Sequence, residues 1–301
     1  MRVSSAAVVP VLAVFLACGP KTPPHVVIHP AMATLVPPDT VMLAGARLDQ
    51  LRETPLYRRY VASPGRSSLS DLISKTGVKP ENLWEALAAY NGADTVVMLR
   101  GKFSETGLEP RLEWEGARRD SYKGCLIISD GRAGVAFINA TTAVAGLVPR
   151  VRAAIDQRGG ATRPPPALLS MTGGIDPSNQ IWAVALGGPP LPAGETRGPM
   201  LNFARVLHKI DRFRAMANLH DGMVFSAEAE CARPEDAETL LSALQAFVGL
   251  GRFALKDRPA MTAALDALSL LRNEATVQVN ATLPASVVDE LIQEAAAADS
   301  R

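Results

Sequence analysis

The chain has 301 residues, 48% of them hydrophobic and 20% charged, and its 31 Lys+Arg against 30 Asp+Glu give a formal charge of +1. That balance belongs to a packed globular protein and excludes a disordered chain. No Lys/Arg cluster interleaves with aromatics, so neither a whole-protein field nor a local patch favours nucleic acid as a partner.

Arg2 precedes an apolar run from Ala6 to Ala17, broken by Pro10. Twelve helical residues rise about 18 Å, short of the ~30 Å hydrocarbon core of a bilayer. Residues 1–17 therefore read as a signal peptide, not a membrane span. The sequence Phe15-Leu16-Ala17-Cys18 resembles the lipobox of bacterial lipoproteins. The resemblance implies cleavage before Cys18, lipidation of its thiol and attachment to a membrane of the cell envelope, facing the periplasm or the surface. Gly19-Pro20 lacks the aspartate that holds members of that family at the inner membrane, which makes the outer membrane the default where a cell has two. The lipoprotein modification supplies more than one acyl chain, and at roughly 0.8 kcal/mol per buried CH₂ such an anchor is effectively permanent. Residues 18–37, opening with Gly19-Pro20-Lys21-Thr22-Pro23-Pro24, read as a Pro-rich tether. Within it His25 and His29 are four apart, but three β-branched residues between them favour extended backbone. Their rings then stand about 13 Å apart, too far to share a metal ion.

Residues 38–160 form the first part of an expected α+β body. Val41 to Ala46 reads as a buried strand, followed by a helix through Leu51, Leu56, Tyr57, Tyr60 and Val61 with Asp49 as its cap. A loop over Ser63 to Ser68 and a short helix over Leu69 to Ser74 come next. Pro80 to Tyr90 predicts another helix, with Trp84, Leu87 and Tyr90 at helical spacing. Strands are expected over Thr95 to Phe103, Leu112 to Glu115, Tyr122 to Ser129 and Gly134 to Ala140, the last two joined at Asp130-Gly131. A short strand over Thr142 to Ala145 and a helix over Val148 to Gln157 complete this part.

Residues 161–174 read as a linker because Gly159 to Pro166 is loaded with Gly and Pro. A second half, 175–301, repeats the theme. It holds a strand over Ile181 to Leu186, a Gly/Pro-rich loop, a short helix over Leu201 to Lys209, and a hairpin of Phe213 to Leu219 with Met223 to Cys231. A long helix from Pro234 follows, with Leu240, Leu241, Leu244, Phe247 and Val248 as its core stripe. A helix over Pro259 to Leu271, a strand over Ala275 to Ala281 and a C-terminal helix from Ala285 to Ala297 end the chain. The expected fold is α+β, with mostly antiparallel sheets packed with helices and two halves of similar order. Ile138-Asn-Ala-Thr141 and Val279-Asn-Ala-Thr282 match but do not fall at equivalent places in that order.

No nucleophile elbow, phosphate loop, dinucleotide fingerprint or metal-ligand spacing is present. Gly249-Leu-Gly251 lacks a third glycine and reads as a helix end. His208 and His220 are the only histidines of the folded body, and neither has a Ser or Cys partner nearby in sequence. Glu113 and Glu115 share a strand face, as in any half-exposed strand. Cys125 and Cys231 each sit in a strand-like run, as a possible disulfide or as two buried thiols.

The segments Pro38-Asp-Thr40 and Leu48-Asp-Gln-Leu-Arg-Glu-Thr-Pro-Leu56 resemble the opening of uncharacterised exported lipoproteins. That resemblance implies an anchored, non-catalytic domain. The expected function is therefore a membrane-anchored envelope lipoprotein that binds or scaffolds a protein partner, without enzyme activity, cofactor or metal. The alternative is a small-molecule or lipid carrier with a cavity between sheet and helices.

Overall fold

A computed structural model describes residues 26–61, 80–103, 116–158, 160, 165–190 and 199–299. The leader with Cys18 and His25, the expected loop and helix between Ser63 and Ser74, and the strand carrying Glu113 and Glu115 lie outside the described residues. In chain order the elements are α1 (Pro30–Ala33), β1 (Met42–Arg47), α2 (Leu48–Leu51), a π-turn (Tyr57–Val61), a 3₁₀ turn (Pro80–Asn82), β2 (Leu83–Tyr90) and β3 (Thr95–Gly101). There follow β4 (Arg118–Tyr122), β5 (Cys125–Ser129), β6 (Ala133–Asn139), β7 (Thr142–Leu147), α3 (Val148–Gln157) and α4 (Pro166–Thr172). The rest of the chain gives β8 (Ile181–Leu186), α5 (Pro199–Leu207), β9 (Ile210–Asn218), β10 (Met223–Cys231), α6 (Pro234–Ala254), α7 (Pro259–Asp266), β11 (Ser269–Asn273), β12 (Thr276–Leu283) and α8 (Ala285–Asp299).

The twelve strands of the described residues join one antiparallel sheet in the order β11-β12-β10-β9-β8-β1-β2-β3-β7-β6-β5-β4. The fold is α+β, and its two halves are alike. Outward from the centre, β1-β2-β3-β7-β6 matches β8-β9-β10-β12-β11. In each half a strand, a helical connection and a hairpin are followed by an insertion, a second hairpin and a helix. The insertion is the β4–β5 hairpin in the first half and the helices α6 and α7 in the second. Ile138 begins its repeated tetrapeptide on β6 and Val279 on β12, strands that are not counterparts.

Strand pairs place their residues on a common face, so the registers separate the two sides of the sheet. One face carries Leu43, Leu87, Val96, Met98, Val144, Trp182 and Val184. It is covered by Val26, Met32, Leu35 and Val36, by Val151 and Ile155 of α3, and by Leu168 of α4. On the opposite face Phe213, Ala229 and Val277 pack under α5 and α6. That face also carries a row of alanines, Ala215, Ala183, Ala44 and Ala88, across the four central strands.

The structure corrects several expectations. Leu83–Tyr90 is a central strand rather than a helix, because its Ala/Leu/Glu helix propensity is overridden by pairing with β1 and β3. The expected long strand from Tyr122 breaks at Lys123-Gly124, both at positive φ, which makes a two-residue hairpin between β4 and β5. The helix from Pro259 stops at Asp266, and Ser269–Asn273 is the edge strand β11. After α2 the chain turns over residues 52–54 and helical backbone resumes at Pro55, so the helix expected through Val61 is two short pieces.

Residues 26–37 belong to the folded body rather than to the expected tether over 18–37, since Val26 and Met32 are part of the core and the Val26 N–H donates to the Ile175 carbonyl. The 161–174 stretch is not a bare linker, because it contains α4, whose Leu168 is fully buried. The Cys125–Cys231 disulfide is also corrected, as both thiols are free and buried in separate clusters. Eight strand positions separate β5 from β10, about 38 Å along the sheet, against a Cα separation below 7 Å in a disulfide.

The lipoprotein-like motif is structural. The Asp39 carboxylate accepts from Arg150 Nη1 at 2.7 Å and Nη2 at 3.2 Å, fixing α3 to the start of β1. The Thr40 hydroxyl donates to the Pro37 carbonyl at 2.6 Å. The Thr54 hydroxyl donates to the Leu51 carbonyl at 2.7 Å and accepts from the Tyr57 N–H at 3.2 Å.

At the join of the halves, Trp182 is only 4% exposed and lies over Gly45, where an added Cβ would stand 2.2 Å from the indole. Gly45→Val is expected to destabilise the fold by about 1–3 kcal/mol through overpacking, read as a lower urea midpoint in tryptophan fluorescence. Thiol titration of the unfolded, unreduced body, residues 19–301, should count two free thiols; a count of zero would contradict the separation of Cys125 and Cys231.

Candidate functional site

Helix α6 begins with Pro234 in its first turn and Glu235 and Asp236 beside it, where negative charge meets the positive end of the helix dipole. Asp236 accepts from Arg233 Nε at 2.9 Å and from Lys209 Nζ at 2.9 Å. The Arg233 hydrogen bond, followed by the one from Lys209, holds its carboxyl below the usual carboxylate range. These contacts fix the start of α6 to the end of α5. From there Ala237, Leu240, Leu241 and Leu244 form a stripe packed toward Phe213, Ala229, Cys231 and Val277, and Val248 further on is buried too. Burial pushes the Cys231 thiol up, with Asp236 and Asp211 adding to the effect, which makes it a core thiol and not a nucleophile.

Beyond the first three turns the helix changes character. Phe247 is 47% exposed, Leu250 60% and Phe253 78%. Phe247 is braced by Phe203 of α5, ring centroids 5.4 Å apart and 19° from parallel. Phe247 thus leaves the expected core stripe for the exposed side. Gly249 and Gly251 do not end the helix, since α6 continues to Ala254. Gly251 has an internal reason, because a Cβ there would stand 3.0 Å from Leu265 of α7, whereas Gly249 has nothing within 4 Å. Arg252 is tied to Asp266 at 2.7 Å. The result is a firmly rooted helix whose second half presents large apolar side chains to water, each forfeiting about 1.5–3 kcal/mol of burial in proportion to its exposure. No helix among the described residues is long and apolar enough to cross a membrane.

The other candidates do not assemble. His208 and His220 are both exposed, on different elements. His208 borders a cleft of about 290 Å³ lined by Met42, Tyr90, Ala185, Pro190 and Leu207, with no carboxylate in its wall. A second cleft, of about 250 Å³, lies between Val26–Ile28, Trp182 and the ends of β1 and β2. Both lie at the small end of the ~300–1,000 Å³ range of small-molecule sites. Cys125 accepts a hydrogen bond from Arg158 Nη1 at 2.9 Å inside the core. Among the described residues no group of three His, Cys, Asp or Glu is placed to hold a metal.

No protein-family profile and no curated protein sequence matches the chain. Among solved structures it is similar to TP0453 in crystal form III, with a TM-score of 0.52 and 6% identity over 89% of this chain and 99% of that one. Crystal form I of TP0453 gives a TM-score of 0.50 and 8% identity over 87% and 96%. At these identities the likeness shows the fold alone.

Asp236 supplies a test of how α6 is rooted. Because its folded pKa is lowered, its contribution to stability is present above the unfolded value near 3.9 and lost as pH falls through the folded one. Asp236→Asn is expected to lower the unfolding midpoint at pH 7, and the difference from the parent should shrink as both are titrated below pH 4.

Proposed function

We propose that this protein is a membrane-anchored lipoprotein of the cell envelope with a non-catalytic role, docking a protein partner on the exposed end of α6. The observation that carries the reading is the run Phe247, Leu250 and Phe253, three large apolar side chains exposed on one firmly anchored helix. The largest exposed apolar patch of a domain is often a functional one. Aromatic anchors are what protein interfaces use to bind.

The position of the helix supports a protein rather than the anchoring membrane. Residues 19–25 separate Cys18 from the first core residue, Val26, and span at most ~25 Å when extended. Val26 enters on the face covered by α3 and α4, while α6 lies on the opposite face of the sheet. A body held close to the bilayer from one face leaves the other for a partner. The separate, exposed histidines fit a non-catalytic role.

The test uses the full-length protein in its native envelope with a photo-crosslinking residue at Leu250, and at the exposed Glu238 for comparison. A protein adduct is expected from position 250 alone and should be lost on Phe253→Asp. Cys18→Ala should release the protein from the membrane fraction. Equal adducts from both positions, or none, would remove the docking surface, and an unreleased Cys18→Ala protein would remove the lipid anchor.

A further inference from the structure

We infer that the partner seated on α6 is a second copy of this chain, paired α6 to α6 about a two-fold axis near Gly249. The inference rests on the reading of α6 as a docking surface and adds the identity of the occupant.

The outward side of α6 carries its own helical stripe. Ala246, Gly249, Leu250 and Phe253 fall at i, i+3, i+4 and i+7, and all four are exposed. Such a stripe is the pattern of a helix face that packs against another helix. It lies opposite the stripe from Ala237 to Leu244 that packs toward the sheet.

Gly249 is the informative position. A glycine inside a helix costs stability relative to alanine, and proteins keep one there for a positive φ or for a close approach. Among the described residues Gly249 has neither: it is not among the positive-φ glycines, and beyond its chain neighbours and its own helix backbone no atom lies within 4 Å of its absent Cβ. Gly251, two residues on, meets Leu265 and shows what an internal reason looks like. The open space over Gly249 leaves room for a close approach by another helix from outside the described residues.

The stripe supplies both halves of a fit. Gly249 and Ala246 form a shallow hole, and Leu250 and Phe253 are the projections beside it. In an antiparallel crossing at Gly249, Phe253 of each copy falls beside Ala246 of the other. That is the self-complementarity a two-fold interface needs.

The area agrees with a weak pair. Phe247, Leu250 and Phe253 leave roughly 350 Å² exposed between them, taking 150–250 Å² for a whole aromatic side chain. Two copies bury about 700 Å² from these side chains and on the order of 1,000 Å² with the small residues between, just under the 1,200 Å² at which stable interfaces begin. Confinement of two anchored copies to one leaflet raises their effective concentration and favours the pair.

The test uses the full-length protein in its native envelope under mild oxidation. A residue on the axis meets its own copy, so Gly249→Cys should give a disulfide-linked dimer. Glu238→Cys should not, and the buried Cys125 and Cys231 contribute none. Phe253→Asp in the Gly249→Cys background should cut the dimer about tenfold or more. In the protein carrying the Leu250 photo-crosslinker, Gly249→Leu fills the hole from a Cβ position that meets no described atom within 4 Å; it should keep the thermal midpoint of the parent or raise it while the self-adduct falls. A self-adduct that persists in Gly249→Leu, or a Gly249→Cys protein that folds and stays monomeric, overturns the pairing. Mass analysis of the Leu250 adduct separates the two readings. A self-adduct supports both, a different protein leaves the docking surface and overturns the second copy, and lipid alone overturns both.

Discussion

The structure depends on the ladder between β1 and β8. Met42 to Ala46 pairs antiparallel with Ala185 to Ile181, with Ala44 opposite Ala183 at the centre. Each half alone would end there in an exposed edge strand, and an open edge invites pairing with other chains. Joined, the two edges cancel and the sheet runs unbroken through twelve strands. The small residues at the join follow from that role. Gly45 makes room for Trp182 on one face, and alanines keep the other face flat across four strands.

The two halves repeat one plan and differ in what fills the same gap. Between its two hairpins the first half inserts β4 and β5, which extend the sheet and end it in a short strand carrying Arg118, Arg119 and Asp120. Charges on an edge strand discourage further pairing. The second half inserts α6 and α7, which leave the sheet and lie across it. The candidate interaction surface therefore sits on the element that breaks the internal repeat, where the shared core places no demand on the outward side chains. The α6 root is polar and tightly paired through Asp236, Arg233 and Lys209, whereas its far half is apolar and open.

Part of this was legible in the residues. The hairpins at Asp130-Gly131 and His220-Asp221-Gly222, the α3 stripe through Val151, Ala154 and Ile155, and the start of α6 at Pro234 all follow from local turn chemistry and periodicity. Lys123-Gly124 carried a turn signal of the same kind but lay inside a run of strand-forming residues. The candidate site was half legible. The stripe of Leu240, Leu241, Leu244 and Val248 in α6 is buried or half-buried as its spacing predicts, whereas Phe247 is not, because a spacing of three or four residues fits the buried face and its neighbour equally.

By itself the sequence determined the α+β class and most strand and helix positions, because these rest on contacts between residues close in the chain. Only the tertiary structure decided that Leu83–Tyr90 is a strand, since its neighbours β1 and β3 supply the pairing that outweighs its helix propensity. Tertiary structure also decided that Val26 belongs to the core and that Cys125 and Cys231 stand far apart. It decided which side of α6 faces water. These are distances between residues remote in sequence, and periodicity along one segment carries no information about what packs against it.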